Sequence, residues 1–337
     1  MRWVSKTVSF DLNAEVSLFE TNIRLLGGLL SAHLLASGAI DGAAHLAVEG
    51  YRGELLRLAV DLGQRLLSAF GRCDELPRPF VQLRGGAARF NGAREQCTAG
   101  VGTLLLEFGT LSRLTLDPRF AVAASCALRL LWSKRSPRDL LGNTLDVASG
   151  TWRNSFAGIG AGIDSFYEYA LKSYLAFGGQ ELYQIWNASY AAVKRHLRVG
   201  PWCAAPLSMH APGAHPRCRH DASSSLAGRY GQVSMYSGET SAGAFDALQA
   251  FWPALQVLAG DVEEAAATQD AFHSLWRQYK LLPERVNVDQ SKSLTQSVVN
   301  PTMAYYPLRP ELAESTYALY RATRDPKYIQ FGKDLMT

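Results

Sequence analysis

"LSRLTLDPRF", residues 111–120, is the stretch that decides the fold. An apolar helical run ends there and a second helix starts within three residues, with Asp117 followed by Pro118 as a combined stop and start signal. The same punctuation recurs in "YLAFGGQELY" (174–183), "QVLAGDVEEA" (256–265) and "LYRATRDPKY" (319–328). Each pairs Gly or Asp with a following Pro or acid. The junctions at Asp117, Gly179, Asp261 and Asp325 fall roughly 60 to 80 residues apart, a spacing that suits helical hairpins used as repeats.

Outward from these junctions, apolar residues recur at spacings of three and four. The pattern runs through "FETNIRLLGGLLSAHLLA" (19–36), "GELLRLAVDLGQRLLSAF" (53–70), "FAVAASCALRLLW" (120–132), "DSFYEYALKSYLAF" (164–177) and "AAATQDAFHSLWRQY" (265–279). Strand signals are few, the clearest being "LLGNTLDVASGTW" (140–152), which reads as a hairpin around Ser149 and Gly150. Within each repeat the first helix is apolar nearly all round and often glycine-rich, whereas the second is amphipathic. A helix apolar on every side must be buried on every side, and an amphipathic one covers it from outside. The pattern predicts an all-α chain, an αα-barrel or a curved αα-solenoid.

Composition excludes several other classes. The formal net charge of +4 comes from arginines scattered along the chain, with no basic run interleaved with aromatics, so no nucleic-acid partner is expected. No apolar stretch reaches the roughly 18 residues of a membrane helix, and the first twenty residues show no compact apolar run of a signal peptide. The five cysteines, Cys73, Cys97, Cys126, Cys203 and Cys218, are widely spaced and odd in number, so they do not fix a compartment. Cys97 reads as a packed or disulfide-bonded residue, since no histidine lies near it. Cys203 and Cys218 with His210, His215 and His220 match no tight zinc spacing, and 201–232 reads as a disordered insertion. Asn187 in "WNAS" matches a glycosylation acceptor inside a predicted helix.

The acids are placed more tellingly. Glu20, Asp164 with Glu168, and Glu311 with Glu314 stand in the first turns of apolar helices, Glu311 directly after Arg309 and Pro310. Acids there complement the helix dipole without any chemistry. Glu107, in "TLLLEFGTL", is harder to assign to capping, because an acid amid leucine and phenylalanine is costly to bury without a partner. Arg24 and Arg309 are the partners the sequence offers. If the inner helices run parallel, these carboxylates share one rim, and several inward acids with arginines are what glycoside hydrolysis demands. Phe19, Phe108, Phe166, Phe251 and Trp252 are candidate faces for sugar rings, or core.

At this point five blocks in order, "FETNIRLLGGLLSAHLLA", "CTAGVGTLLLEFGTLSRL", "GIGAGIDSFYEYALKSY", "ALQAFWPALQVLAGDVE" and "YPLRPELAESTYALYRATRDP", resemble glycoside hydrolase family 47, the class I α-1,2-mannosidases. The wording is most similar to the ER degradation-enhancing α-mannosidase-like branch. The resemblance implies an (αα)7 barrel, of which about five of the seven hairpins are present, and treats 1–337 as one incomplete barrel. It implies an inverting exo-α-1,2-mannosidase that trims high-mannose N-glycans of misfolded glycoproteins in the ER lumen, with bound calcium and a possible oxidoreductase partner. By motif, Glu20 matches the general acid, Asp164 the second acid at the scissile bond and Glu311 the base that activates water. Either of the first two can deliver the proton. Arg24, Glu107, Glu168, Arg309 and Glu314 match positions that hold sugar hydroxyls or calcium-bound waters.

Two departures accompany the resemblance. Ala247 stands where trimming enzymes of the family have histidine, and Ala254 where the branch usually has glycine. The family's calcium-ligating threonine would lie beyond Thr337, and a hairpin is expected ahead of Glu20, so the chain reads as a fragment or truncated copy. The metal ligands are therefore not assignable from these residues. Two function classes follow, an α-mannosidase and a non-catalytic mannose-binding remnant of the same family.

Overall fold

Every junction read from the sequence separates two helices in the computed structural model, which describes residues 2–85, 94–199, 229–241, 244–287, 298–299 and 301–336. Leu105–Thr115 ends on left-handed Leu116, and Asp117 caps Pro118–Ser133 by accepting the Arg119 N–H at 3.0 Å. Gly178 and Gly179, both at positive φ, join Asp164–Phe177 to Gln180–His196. Asp261 divides Trp252–Leu258 from Val262–Tyr279, and Asp325 accepts the Lys327 N–H between Glu311–Thr323 and Lys327–Asp334. With the helical run from Leu18 to Ala36 and its companion Glu54–Leu66, five hairpins stand among the described residues. The chain is all-α in its framework, of the αα-barrel type, with short strands confined to the connections.

The chain divides into two units. The first holds the residues up to Ser155 together with Ser165–Tyr190. Its outer helix Glu54–Leu66 buries Leu55, Ala59, Leu62 and Leu66, one stripe at helical spacing, while Glu54, Arg57 and Asp61 stay on the wet face. Leu26, Phe108, Leu111, Phe120 and Phe166 complete the core. The inner helices approach closely because glycine allows it: a Cβ on Gly102 would lie 2.6 Å from the Phe166 ring. Thr144–Asp146 and Trp152–Asn154 pair as the expected antiparallel hairpin, with Glu95–Cys97 on the other edge. Its turn is set by Asp146, whose carboxylate accepts the N–H groups of Ala148 and Ser149 at 3.0 Å. Cys73 and Cys126 are joined in a disulfide, a pairing not readable from spacing, whereas Cys97 remains a thiol whose Sγ accepts the Gly100 N–H.

The second unit holds Phe156–Asp164 and the residues from Ala191 onward. A small antiparallel sheet places Arg285–Asn287 between Ala244–Asp246 and Val298–Val299. Beneath it Phe245, Phe272, Leu275, Trp276 and Leu312 form a core. Polar hooks fix the helix Glu311–Thr323. The buried Ser315 hydroxyl donates to the Ala250 carbonyl at 2.6 Å and accepts the Ala254 N–H at 3.0 Å, and Gln269 donates to Thr316 Oγ1 at 2.8 Å. Residues 201–228 of the expected insertion, with its cysteines and histidines, lie outside the described residues. Its trailing end differs from the expectation, because Arg229–Tyr230 is a strand paired with Arg198–Val199. Among the described residues no helix is long and apolar enough to cross a membrane.

Candidate active site

In the first unit, Glu20 ends a short helical turn whose N-cap, Ser17, accepts its N–H. Thr21–Leu26 then follows with π-helical bonding before the α-helix resumes at Gly27. Such single π turns are frequent at functional sites, because they rotate the side chains that follow out of the helical register. Arg24, on that turn, donates to Glu20 through Nε at 2.6 Å, and both side chains are largely exposed. These two predicted site residues are therefore brought together.

Glu107 is buried, as its sequence context required, yet its partners are not the arginines anticipated. Asn22 Nδ2 donates to Glu107 Oε2 at 2.8 Å and the Tyr169 hydroxyl donates to Oε1 at 2.6 Å. Burial raises the Glu107 pKa despite both donors, and burial beside Glu107 raises that of Tyr169. The expectation that Arg24 or Arg309 neutralises Glu107 is corrected: Arg24 is engaged with Glu20, and Arg309 with a residue the sequence reading missed. Neutral amide and phenol donors satisfy a carboxylate without importing a second charge to desolvate. Glu168 stands one helical turn beyond Asp164 on Asp164–Phe177 and pairs with Lys172 at 2.7 Å.

In the second unit, Asp164 is the first residue of its helix, and its N–H donates to the Gly160 carbonyl at 3.0 Å. Glu311 opens the helix Glu311–Thr323, with Pro310 at the cap position one residue ahead and Leu308 in the left-handed region before it. Glu314 lies exposed one turn on, its N–H donating to the Pro310 carbonyl. Arg309 makes a two-pronged pair with Glu284, its Nε reaching Oε2 at 2.9 Å, and that carboxylate raises the guanidinium pKa. The Glu311 charge contributes to raising the pKa of Tyr306, after burial, and the Tyr306 hydroxyl donates to the Arg309 carbonyl at 3.2 Å. Arg309, Glu284 and Tyr306 thus form one hydrogen-bonded group just ahead of the helix that Glu311 opens.

Two acids of this unit were missed. Glu284 follows proline in "LLPER", where the only sequence signal is an acid closing a loop. Asp246, in "AFDAL", sits between apolar residues much as Glu107 does, and that signal was available. Burial pushes its carboxyl up to about 6 against the opposing pull of the Ala161 and Gln249 N–H groups and Arg285. Ala247 beside it is fully buried, its N–H donating to the Glu284 carbonyl. Of the candidate aromatics, Phe108, Phe166, Phe251 and Trp252 are core; Phe19 alone is partly exposed. Among the described residues no three His, Cys, Asp or Glu side chains gather as a metal site.

The described helical hairpins carry acids at their helix mouths, with the arginine–carboxylate pairs Arg24–Glu20 and Arg309–Glu284 beside them. The profile of glycosyl hydrolase family 47 matches residues 1–337, and the chain belongs to that family. "Alpha-mannosidase I MNS5" of Arabidopsis thaliana is 44% identical over 334 residues, covering 99% of this chain and 52% of that protein. "ER degradation-enhancing alpha-mannosidase-like protein 2" of Homo sapiens is 38% identical over 328 residues, covering 97% and 50% respectively. Among solved structures, an α-1,2-mannosidase from Trichoderma reesei superposes with a TM-score of 0.76 at 25% identity, covering 99% of this chain and 70% of that one. A sugar epimerase from a ruminal bacterium, at 10% identity and TM-score 0.64, shares the fold. The chain spans about half the length of the relatives it matches.

Proposed function

We propose that this chain carries the catalytic carboxylates of an inverting exo-α-1,2-mannosidase that trims terminal mannose from high-mannose N-glycans of misfolded glycoproteins in ER-associated degradation. The observation that carries the reading is the placement of Glu20, Asp164 and Glu311 at helix starts within the motifs that resemble the family's, in a chain 44% identical to a relative named as an alpha-mannosidase. Glu311 takes a proton from water as the water oxygen attacks the anomeric carbon. The bond from that carbon to the glycosidic oxygen breaks, and Glu20 or Asp164 protonates the departing oxygen. By the same family reading, Arg24, Glu107, Glu168, Arg309 and Glu314 are the positions that hold sugar hydroxyls or ordered waters. The Glu284 carboxylate keeps Arg309 in place for this.

The ER lumen is the assigned compartment. The Cys73–Cys126 disulfide supports it, because such bonds persist in oxidising compartments and are rare elsewhere. Calcium is carried over as the family's cofactor, and no step is routed through it. An oxidoreductase partner follows from the same family reading. The test is mannose release from a high-mannose oligosaccharide by the chain and by Glu311→Gln. Release by the first and none by the second is expected. Glycan binding by both without release by either is the outcome of a mannose-binding remnant.

A further inference from the structure

The loop that presents Asp164, residues 158–164, holds Gly158, Gly160 and Gly162 and follows the short antiparallel pairing Phe156↔Ser234 and Ala157↔Val233. The Asp246 carboxylate lies against it, with Oδ2 and Oδ1 at 3.3 and 3.4 Å from the Ala161 N–H. Gly160 is moulded to the same group: a Cβ there would stand 2.1 Å from Asp246 Oδ2. The Gly160 carbonyl in turn accepts the N–H groups of Ile163 at 3.1 Å and Asp164 at 3.0 Å, which makes it the first rung of the Asp164 helix.

Asp246 is itself well fixed. It ends the strand Ala244–Asp246 in register with Arg285, and its successor Ala247 is bonded to Glu284. Around it stand the Arg285 and Glu284 side chains, with Arg309 close enough to feel its charge. An asparagine would accept the same N–H without the penalty of desolvating a carboxylate.

We propose that Asp246 is a positioning residue for Asp164, its carboxylate being the strut that holds Gly160 and Ala161 and, through the Gly160 carbonyl, the helix start carrying the candidate catalytic acid. The inference deepens the hydrolase reading and rests on it for its kinetic consequence, but not for its structural one.

Two readouts on the full chain separate them. Hydrogen exchange over 158–164, measured without substrate, is expected to rise about tenfold in Asp246→Ala, the scale of one lost charge-assisted hydrogen bond, with the rest of the chain unchanged. Mannose release by that variant is expected to lose about tenfold in kcat with little change in KM, as fits a misplaced reacting group rather than lost sugar binding. Asp246→Asn, which keeps an acceptor in the same volume, is expected to restore both. Unchanged exchange in Asp246→Ala overturns the strut. So does an Asp246→Asn variant whose loop is intact but whose kcat falls as far as that of Asp246→Ala, because the carboxylate then acts in the chemistry itself. Should Asp246→Ala lose protection everywhere, Gly160→Ala carries the test. Its methyl must displace the carboxylate, and the same local loosening is expected, a quiet loop again refuting the strut. A loosened loop in a chain that never released mannose leaves the strut standing and sinks the hydrolase reading alone.

Discussion

Replacing both Cys73 and Cys126 by serine removes the one covalent cross-link described in the first unit. The bond joins the loop after Glu54–Leu66 to the middle of Pro118–Ser133, so it ties one hairpin to the next. Its residues are 53 apart, and the chain-entropy relation for a loop of that length gives about 14 cal/mol/K, or about 4 kcal/mol at 25 °C. With unfolding entropy near 2.1 cal/mol/K per residue, the melting temperature falls by about 6 °C if the whole chain unfolds together, and by about 10 °C if the first unit unfolds alone. Calorimetry and urea unfolding of oxidised protein, reduced protein and the double serine variant provide the assay. Reduction is expected to shift the wild type onto the variant and to leave the variant where it was. A double variant within about 1 kcal/mol of oxidised wild type, well below the calculated loss, would refute the reasoning that the bond chiefly restricts the unfolded chain.

Other outcomes follow from single groups. Ser315→Ala strands the Ala254 N–H and the Ala250 carbonyl at the base of the Glu311 helix, and a loss of about 1 to 3 kcal/mol in urea unfolding is expected. Asp246 has an ordinary carboxyl pKa of 3.8 when unfolded and about 6 when folded, so ionising it costs the folded state about 3 kcal/mol. That stability is present below pH about 4 and lost as pH rises through about 6. Asp246→Asn is expected to flatten the pH dependence of the melting temperature over this window and to stabilise the chain above it. A steeper dependence in the variant contradicts the assignment. Burial raises Glu107 as well, so Glu107→Gln is likewise expected to remove a loss of stability with rising pH, read from the melting temperature over the same pH series.

The hairpins were legible because their causes are local. Asp117 caps the helix that Pro118 starts, Gly178 and Gly179 take the positive φ that ends another, and Leu55, Ala59, Leu62 and Leu66 show their buried stripe in spacing alone. The placement of Glu20, Asp164 and Glu311 at helix starts was legible for the same reason. What joins the site was not. Glu107 is held by Asn22, 85 residues before it, and Tyr169, 62 after, and neither residue type advertises such a role. Arg309 finds Glu284, 25 residues before it, through a loop acid that no spacing marks. Long-range pairing is settled by packing, so local spacing points to a buried acid without naming its donor.

Mannose release from a high-mannose oligosaccharide, measured for the full chain beside Glu311→Gln with glycan binding followed in parallel, tests the central claim most directly. The expected result is release by the chain, loss of release in Glu311→Gln and glycan binding by both. Binding without release by the unaltered chain, or release that survives Glu311→Gln, would contradict it.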